Sequence, residues 1–327
     1  MMETPLASVI VLTYNQEHSL PVTLESLLAQ KTSFPIEIVV SDDCSQDATR
    51  SVITDFASKY PDRIRPVYNE RNLGILGNYI STLHKCRGKY ISGCAGDDFW
   101  IDPEKLQLQV EIMERDPEIG VVYTDVLMDS VDTGQKFVKK SKDPEVNTFT
   151  QLLRGCFIPA PSACFRASLL EFVDYDEYQR LGFRMEDYPK WLALSLHTKF
   201  HHLKRTTVNY RIERSYINDA RTVSLHACKF DEGTTAIRLY FRNRYPDRTE
   251  LTEEQIEDAH YKLCYLAGLN MDDRSFTKQY VEMVHDRTPY VKRLSWISRS
   301  PLLFRVYQFY RRLTGKTRTP LQMYFGQ

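Results

Sequence analysis

Hydrophobic positions in the first 126 residues follow two alternating rhythms. Short, β-branched runs at 8–14, 36–41, 64–68, 90–95 and 120–126 predict strands. Between them apolar residues recur at helical spacing: Leu20, Leu24, Leu27 and Leu28; Ala48, Val52, Ile53 and Phe56; Tyr79, Ile80 and Leu83; Leu106, Val110 and Met113. Apolar strands alternating with amphipathic helices predict βαβ units, an α/β fold with a mostly parallel sheet covered on both faces. Pro21 and Pro103 suit the first turns of two of these helices, where a missing N–H costs nothing.

After residue 126 the rhythm loosens. Residues 127–150 read as a polar excursion, a hairpin turning at 132–135. FIPAPSACFR (157–166) reads as a return to the sheet, and RMEDYPKWLALSLH (184–197) as a loop running into a helix. A further strand is expected at 207–211, before a polar loop at 215–221. From about 222 the pattern is helical, and Thr252-Glu253-Glu254-Gln255 has the form of a helix start. Two domains follow, 1–220 and 221–327.

Composition narrows the partners. Lys and Arg total 43, as do Asp and Glu, so no global charge points to nucleic acid. From Arg287 onward, however, there are nine basic residues and no acidic one. The seven cysteines are scattered and form no C-x-x-C, which fits free thiols in a reducing cytoplasm. The first apolar run is too short for a signal peptide, and no stretch of about 18 apolar residues occurs. The expectation is a cytoplasmic protein, soluble or peripheral on the inner face of the plasma membrane.

Polar clusters follow three of the predicted strands directly: Thr13-Tyr14-Asn15, Asp42-Asp43 and Asp97-Asp98. In an open α/β sheet ligands bind beyond the carboxyl ends of the strands, so these clusters should share one rim. Adjacent carboxylates repel, and a divalent cation whose remaining ligands are water and phosphate oxygens would relieve Asp97 and Asp98. The chain has neither G-x-G-x-x-G after its first strand nor G-x-x-x-x-G-K-[ST]. A glycine-rich phosphate grip is therefore excluded, and a metal is the natural substitute.

Five segments in order, SVIVLTYNQE (8–17), IEIVVSDDCSQDAT (36–49), NLGILGN (72–78), GDDFW (96–100) and the ED of RMEDYPKW, resemble glycosyltransferase family 2. The resemblance covers 8 to about 216 and implies a GT-A fold and an inverting enzyme that uses a nucleotide-sugar donor. It implies that Tyr14 stacks on the base, with Leu12 and Thr13 shaping the pocket. Asp43 would accept the imide N–H of uracil or thymine, hence a UDP- or dTDP-sugar. Asp98 would hold Mn²⁺ or Mg²⁺, with Asp97 nearer the ribose, and Asp187 would be the base. Asn15, Glu17, Asn78, Trp100, Glu186 and Arg211 are candidate donor or acceptor contacts, and Arg214 is a second candidate for phosphate. Taken singly, Asp43 also reads as a turn or cap residue and Asp187 as a first-turn acid. Trp191, among Leu192, Leu194 and Leu196, reads as core.

The resemblance has departures. Cys44 stands where glycine or asparagine is usual after the second acid, and the processive Q-x-x-R-W motif is absent. It implies transfer of a single sugar to a glycan or lipid-linked glycan, as in bacterial O-antigen, capsule or exopolysaccharide synthesis. Rival readings are a nucleotide-sugar-binding scaffold without turnover and a nucleotidyltransferase. The latter would need a glycine-rich loop where this chain has QEHSLP. The basic, aromatic segment 290–318 places Leu303, Val306, Tyr307, Tyr310 and Leu313 on one helical stripe. Such a helix suits a membrane interface or packing on the body, and carries no nucleic-acid signature.

Overall fold

The computed structural model describes residues 4–131, 134–212 and 220–314. Part of the expected turn at 132–135, most of the loop at 215–221 with Arg214, and residues 315–318 of the tail lie outside them. The chain divides into two compact units, Met1–Glu213 and Arg214–Gln327.

The first unit opens with β1 (Ala7–Thr13), α1 (Leu20–Leu28), β2 (Ile36–Asp42), α2 (Thr49–Lys59), β3 (Ile64–Tyr68), α3 (Gly74–Leu83) and β4 (Tyr90–Ala95). It continues with β5 (Phe99–Trp100), α4 (Lys105–Arg115), β6 (Ile119–Ser130), β7 (Lys136–Lys139) and α5 (Thr148–Arg154). β8 (Cys164–Arg166), α6 (Tyr175–Arg180), α7 (Asp187–Leu194) and β9 (Lys199–Ile212) complete it. The sheet order is β3-β2-β1-β4-β8-β6-β9-β5, with β7 paired to β6 as a hairpin. This mixed sheet with helices on both sides is a GT-A fold.

The first four strands are parallel, as expected, and both faces of β1 and β2 are buried. Their register positions the site: Thr13 lies opposite Asp42, and Leu12 opposite Ala95. β1, β2 and β4 therefore end almost level, and the residues that follow emerge on one edge.

Beyond β4 the sheet becomes mixed. β8 runs antiparallel between β4 and β6, so β6 does not adjoin the parallel set. The segment 157–166 forms a short 3₁₀ turn at Ala160–Ser162 and only a three-residue strand, because Pro159 and Pro161 have no N–H for a ladder. The strand expected at 207–211 extends back to Lys199. Pro103 lies ahead of α4 rather than in its first turn, and its carbonyl accepts the Lys31 N–H at 2.8 Å.

One buried charge lies behind the rim. Lys105 Nζ donates to Ser92 Oγ (3.2 Å) and Gln109 Oε1 (2.9 Å), and sits 3.8 Å from the centroid of the Trp100 ring. Burial pushes its ammonium down to about 8, below the roughly 10.4 of an unfolded lysine. Between those values the unfolded lysine holds a proton that the folded one has lost, so the contribution of Lys105 to stability rises with pH there. Buried thiols such as Cys94 and Cys164, raised above their ordinary range, act in the opposite sense. In urea titrations from pH 8 to 10 the stability of wild type relative to Lys105→Met is therefore expected to rise by about 1 kcal/mol per unit. Equal slopes in both proteins would refute the assignment.

The second unit is helical: α8 (Ala220–Arg244), α9 (Glu253–Asn270), α10 (Arg274–Met283), α11 (Pro289–Arg299) and α12 (Pro301–Leu313). The expected start at Thr252 is a capping box, in which Thr252 and Gln255 bond each other's backbone N–H. Tyr265, Leu269, Val281, Val284, Val291, Leu294 and Phe304 form a shared core. The single stripe expected on the last helix is divided: Leu303 and Tyr307 are half-buried, while Val306, Tyr310 and Leu313 are exposed. No helix among the described residues is long and apolar enough to cross a membrane.

Candidate functional site

The edge formed by β1, β2 and β4 is built by loops that bind one another. Asn15 adopts φ 53°, a left-handed conformation that asparagine tolerates. Its N–H donates to Ser45 Oγ (2.9 Å), and its own Oδ1 accepts from the Gln46 N–H (2.8 Å). Glu17 Oε2 accepts the Ala48 N–H at 2.7 Å. Asn15 and Glu17 thus clamp the loop after β1 to the loop after β2, leaving Tyr14 beside them 45% exposed, open to a planar ligand. Leu12 is half-buried and Thr13 buried behind it.

The two acids after β2 have separate tasks. Asp42 is a structural anchor, accepting from the Ser45 N–H and pairing with Arg50 at 3.0 Å. Asp43 Oδ1 accepts from Asn69 Nδ2 (3.0 Å) and the Leu73 N–H (2.9 Å), and Oδ2 from the Gly74 N–H (3.0 Å). Two lone pairs per oxygen leave one acceptor position on Oδ2. Gly74 at φ +72° turns that amide toward Asp43, a conformation that favours glycine. Cys44 takes φ 65° at the position where glycine or asparagine is usual, so the loop keeps its left-handed turn despite the side chain. Asn78 is buried behind Asp43, its Oδ1 accepting from Ser41 Oγ and Asn69 Nδ2.

Asp97 and Asp98 follow β4 on the same edge. Thr23 Oγ1, on the inner face of α1, bonds the carbonyls of Gly96 (3.1 Å) and Asp98 (2.6 Å) and so fixes the turn. Asp98 is buried, with Oδ1 accepting the Arg211 N–H at 2.9 Å. Burial, and then the neighbouring Asp97 charge, push its carboxyl well above the usual carboxylate range. A cation would reverse that cost. Among the described residues no group of three or more His, Cys, Asp or Glu could hold a metal. The fit is thus to an ion held by one or two carboxylates, its other ligands coming from phosphate and water. Arg211 also lies here, its guanidinium 5.2 Å from the centroid of the Phe99 ring.

Next to these acids the wall has unfilled polar positions. Thr13 Oγ1 and Gln16 Oε1 are buried without a hydrogen-bond partner, and both border Gly96. A Cβ on Gly96 would lie 2.9 Å from Thr13 Oγ1 and closer still to Gln16 Oε1. Unpartnered buried polar atoms are uncommon in folded proteins, and these two lie together beside a residue without a side chain. Gly96→Ala should cost about 1–3 kcal/mol in denaturant unfolding and weaken nucleotide binding as well. Unchanged binding by calorimetry would show that the ligand does not reach Gly96.

Glu186 and Asp187 come from a different element, the N-terminus of α7. Both are half-exposed but set deep in their wall. Burial, then the Asp187 charge, raise Glu186 to about 7, and burial raises Asp187 while Lys190 opposes it. Lys190 Nζ donates to Tyr79 OH of α3 at 3.1 Å. α3 therefore connects the Asp43 cradle at its start with the acid pair near its middle. Trp191 is core, as expected, and Trp100 is also buried. Thr23, Gln16, Asn69 and the Tyr79–Lys190 pair were missed from sequence; only Thr23, a polar position amid the buried leucines of α1, left a signal.

Comparison with known proteins shows the fold and the family. A mycobacterial relative, an uncharacterized protein of Mycobacterium tuberculosis, is 38% identical over 130 residues. That match spans 38% of each chain, so this chain matches well under half the length of that relative. The Escherichia coli UDP-Glc:alpha-D-GlcNAc-diphosphoundecaprenol beta-1,3-glucosyltransferase WfgD is 28% identical over 193 residues, 59% of this chain and 71% of WfgD. In fold, the chain resembles S. aureus TarS 1-349 in complex with UDP-GlcNAc, with TM-score 0.56 and 18% identity over 98% of this chain and 89% of that one. It also resembles the mannosyltransferase PcManGT from Pyrobaculum calidifontis in complex with GDP-Man and Mn2+, with TM-score 0.52 and 15% identity over 94% and 84%. The family model described as Glycosyl transferase family 2 matches residues 8–176, more than half of the chain. With more than half of its length matched, the chain belongs to glycosyl transferase family 2.

Proposed function

We propose that this protein is a metal-dependent, inverting glycosyltransferase. It moves one sugar from a UDP- or dTDP-sugar to a hydroxyl of a glycan or lipid-linked glycan, in the synthesis of a bacterial surface polysaccharide. The observation that carries the reading is the level ending of β1, β2 and β4, which delivers Tyr14, Asp43, Asp97 and Asp98 to one edge. The similarity to WfgD, a UDP-Glc:alpha-D-GlcNAc-diphosphoundecaprenol beta-1,3-glucosyltransferase, supports the donor and acceptor classes.

In this reading Tyr14 stacks on the base and the open position on Asp43 Oδ2 accepts its imide N–H. Asp97 contacts the ribose, and Thr13 and Gln16 meet polar atoms of the donor beside Gly96. A divalent ion at Asp98, Mn²⁺ or Mg²⁺, would supply Lewis-acid stabilisation of the departing diphosphate. Asp187 takes the proton of the acceptor hydroxyl, opposite the leaving group, as inversion requires. Glu186 and Arg211 flank the two ends of this path.

The test is calorimetric titration of UDP, dTDP, GDP and CDP, each with and without Mn²⁺. Metal-dependent binding of UDP or dTDP in preference to the others is expected. A preference for GDP or CDP would remove the imide contact assigned to Asp43.

A further inference from the structure

The last helix of the second unit is turned inside out. On its inner face, Gln308 and Arg311 are buried alongside Phe304. Gln308 Nε2 donates to the Leu269 carbonyl at 2.6 Å, and Arg311 Nη2 to Asn270 Oδ1 at 3.0 Å. Both contacts fall on the last residues of α9, where unpaired carbonyls and the negative end of the helix dipole favour such donors. The polar residues point inward because they cap α9, and this fixes the rotation of α12.

The outer face is consequently apolar. Leu302 is 71% exposed, Val306 60%, Phe309 64% and Leu313 71%, a spacing of four, three and four residues along a single stripe. Rotating the helix to bury them would uncap α9. Tyr310 extends the stripe on one side, and exposed Arg305 and Arg312 border it on the other. On α11, exposed Trp296 lies among exposed Lys292, Arg293 and Arg299. From Arg287 onward no acidic residue interrupts the series.

From this arrangement we infer that the exposed face of α12 is a docking surface for an anionic lipid bilayer. Leu302, Val306, Phe309 and Leu313 enter the boundary between headgroups and acyl chains, and Arg305 and Arg312 meet lipid phosphates. An apolar stripe edged by arginines, on a helix that carries no carboxylate of its own, is complementary to a negatively charged interface. The neighbouring carboxylate, Asp272 of the loop after α9, is paired with Arg312 at 2.8 Å. The inference stands on the second unit alone and does not depend on the transfer reaction.

The test is flotation of the full chain with phosphatidylcholine vesicles, with and without phosphatidylglycerol. Binding is expected only to the anionic vesicles and should be lost near 1 M salt, where the Debye length is about 3 Å. The double variants Phe309→Glu/Leu313→Glu and Arg305→Glu/Arg312→Glu should each lower partitioning at least about tenfold. Both should keep wild-type nucleotide binding and circular dichroism, since every altered side chain is exposed and the one ion pair lost, Arg312 with Asp272, lies at the surface, where such pairs contribute little. Absence of flotation would overturn the inference. So would a dimer in sedimentation that Phe309→Glu dissociates, with no vesicle binding, because the stripe would then serve a second copy of the chain.

Discussion

Asp187→Asn is expected to leave UDP binding within about twofold while lowering sugar transfer by about 10²–10⁴-fold, the usual contribution of a positioned general base. The substitution keeps the shape of the side chain at the start of α7 and removes only its ability to take a proton. Transfer at the wild-type rate would move the base elsewhere. Survival of neither binding nor transfer would instead indicate a structural role. The pH dependence supplies an independent check. Burial raises the Asp187 carboxyl above its ordinary range, so it holds its proton to a higher pH than a surface aspartate. The basic form, and with it kcat/KM, should therefore be lost as pH falls, starting above the usual carboxylate range. Glu186, raised to about 7, stays protonated through most of that fall and adds little charge beside the base. Lys190 lowers the Asp187 value, so Lys190→Met should move the acid limb upward.

The second large effect is expected at Asp98. In Asp98→Ala the affinity for UDP should become the same with Mn²⁺ and with chelator, and transfer should fall by at least about 10²-fold as leaving-group stabilisation disappears. The stability response separates this from misfolding. Asp98 is buried beside another carboxylate, and removing it also removes an uncompensated charge. The alanine variant should thus unfold no earlier than wild type without metal, while losing the thermal shift that Mn²⁺ gives the wild type. Asp98→Asn retains an acceptor for the Arg211 N–H, so a defect shared by both variants is a defect in cation binding. UDP affinity insensitive to chelator in the wild type would remove the metal from the proposal.

The parallel half of the sheet was legible because strands buried on both faces must be mostly apolar, and β1, β2 and β4 are, with the buried Ser8, Glu37 and Ser92 hydrogen-bonded inside the fold. Its rim was legible for a related reason: polar residues directly after such strands have no place but the edge. The later strands gave less away. The first half of β9 carries Lys199, His201, His202, Lys204 and Arg205, largely exposed or half-buried, and nothing in that composition alternates as a strand should. β8 is three residues long and is held by pairing on both sides rather than by its own pattern. Orientation was hidden for the same reason, since periodicity states that a segment is a strand and not which way it runs. On α12 the apolar spacing was visible, but not which face turns inward, because the polar partners on α9 lie about forty residues away. Tyr79 and Lys190, 111 positions apart, are joined only by the fold.

That last pair gives α3 the character of a ruler. Its first amide is tied to Asp43, and the side chain five residues on is tied to Lys190, three residues past Asp187. At about 1.5 Å per residue the interval along the axis is roughly 7–8 Å. It is set by backbone hydrogen bonds rather than by a flexible side chain. Lengthening α3 by one residue between Gly74 and Tyr79 would turn the phenol about 100° around the axis and cut the link, though every polar group of the rim would still be present. The separation of the Asp43 loop from the acid pair is thus written into the pitch of one helix, and in the proposed reading a shortened or lengthened α3 in a relative would mark a site measured for a different donor.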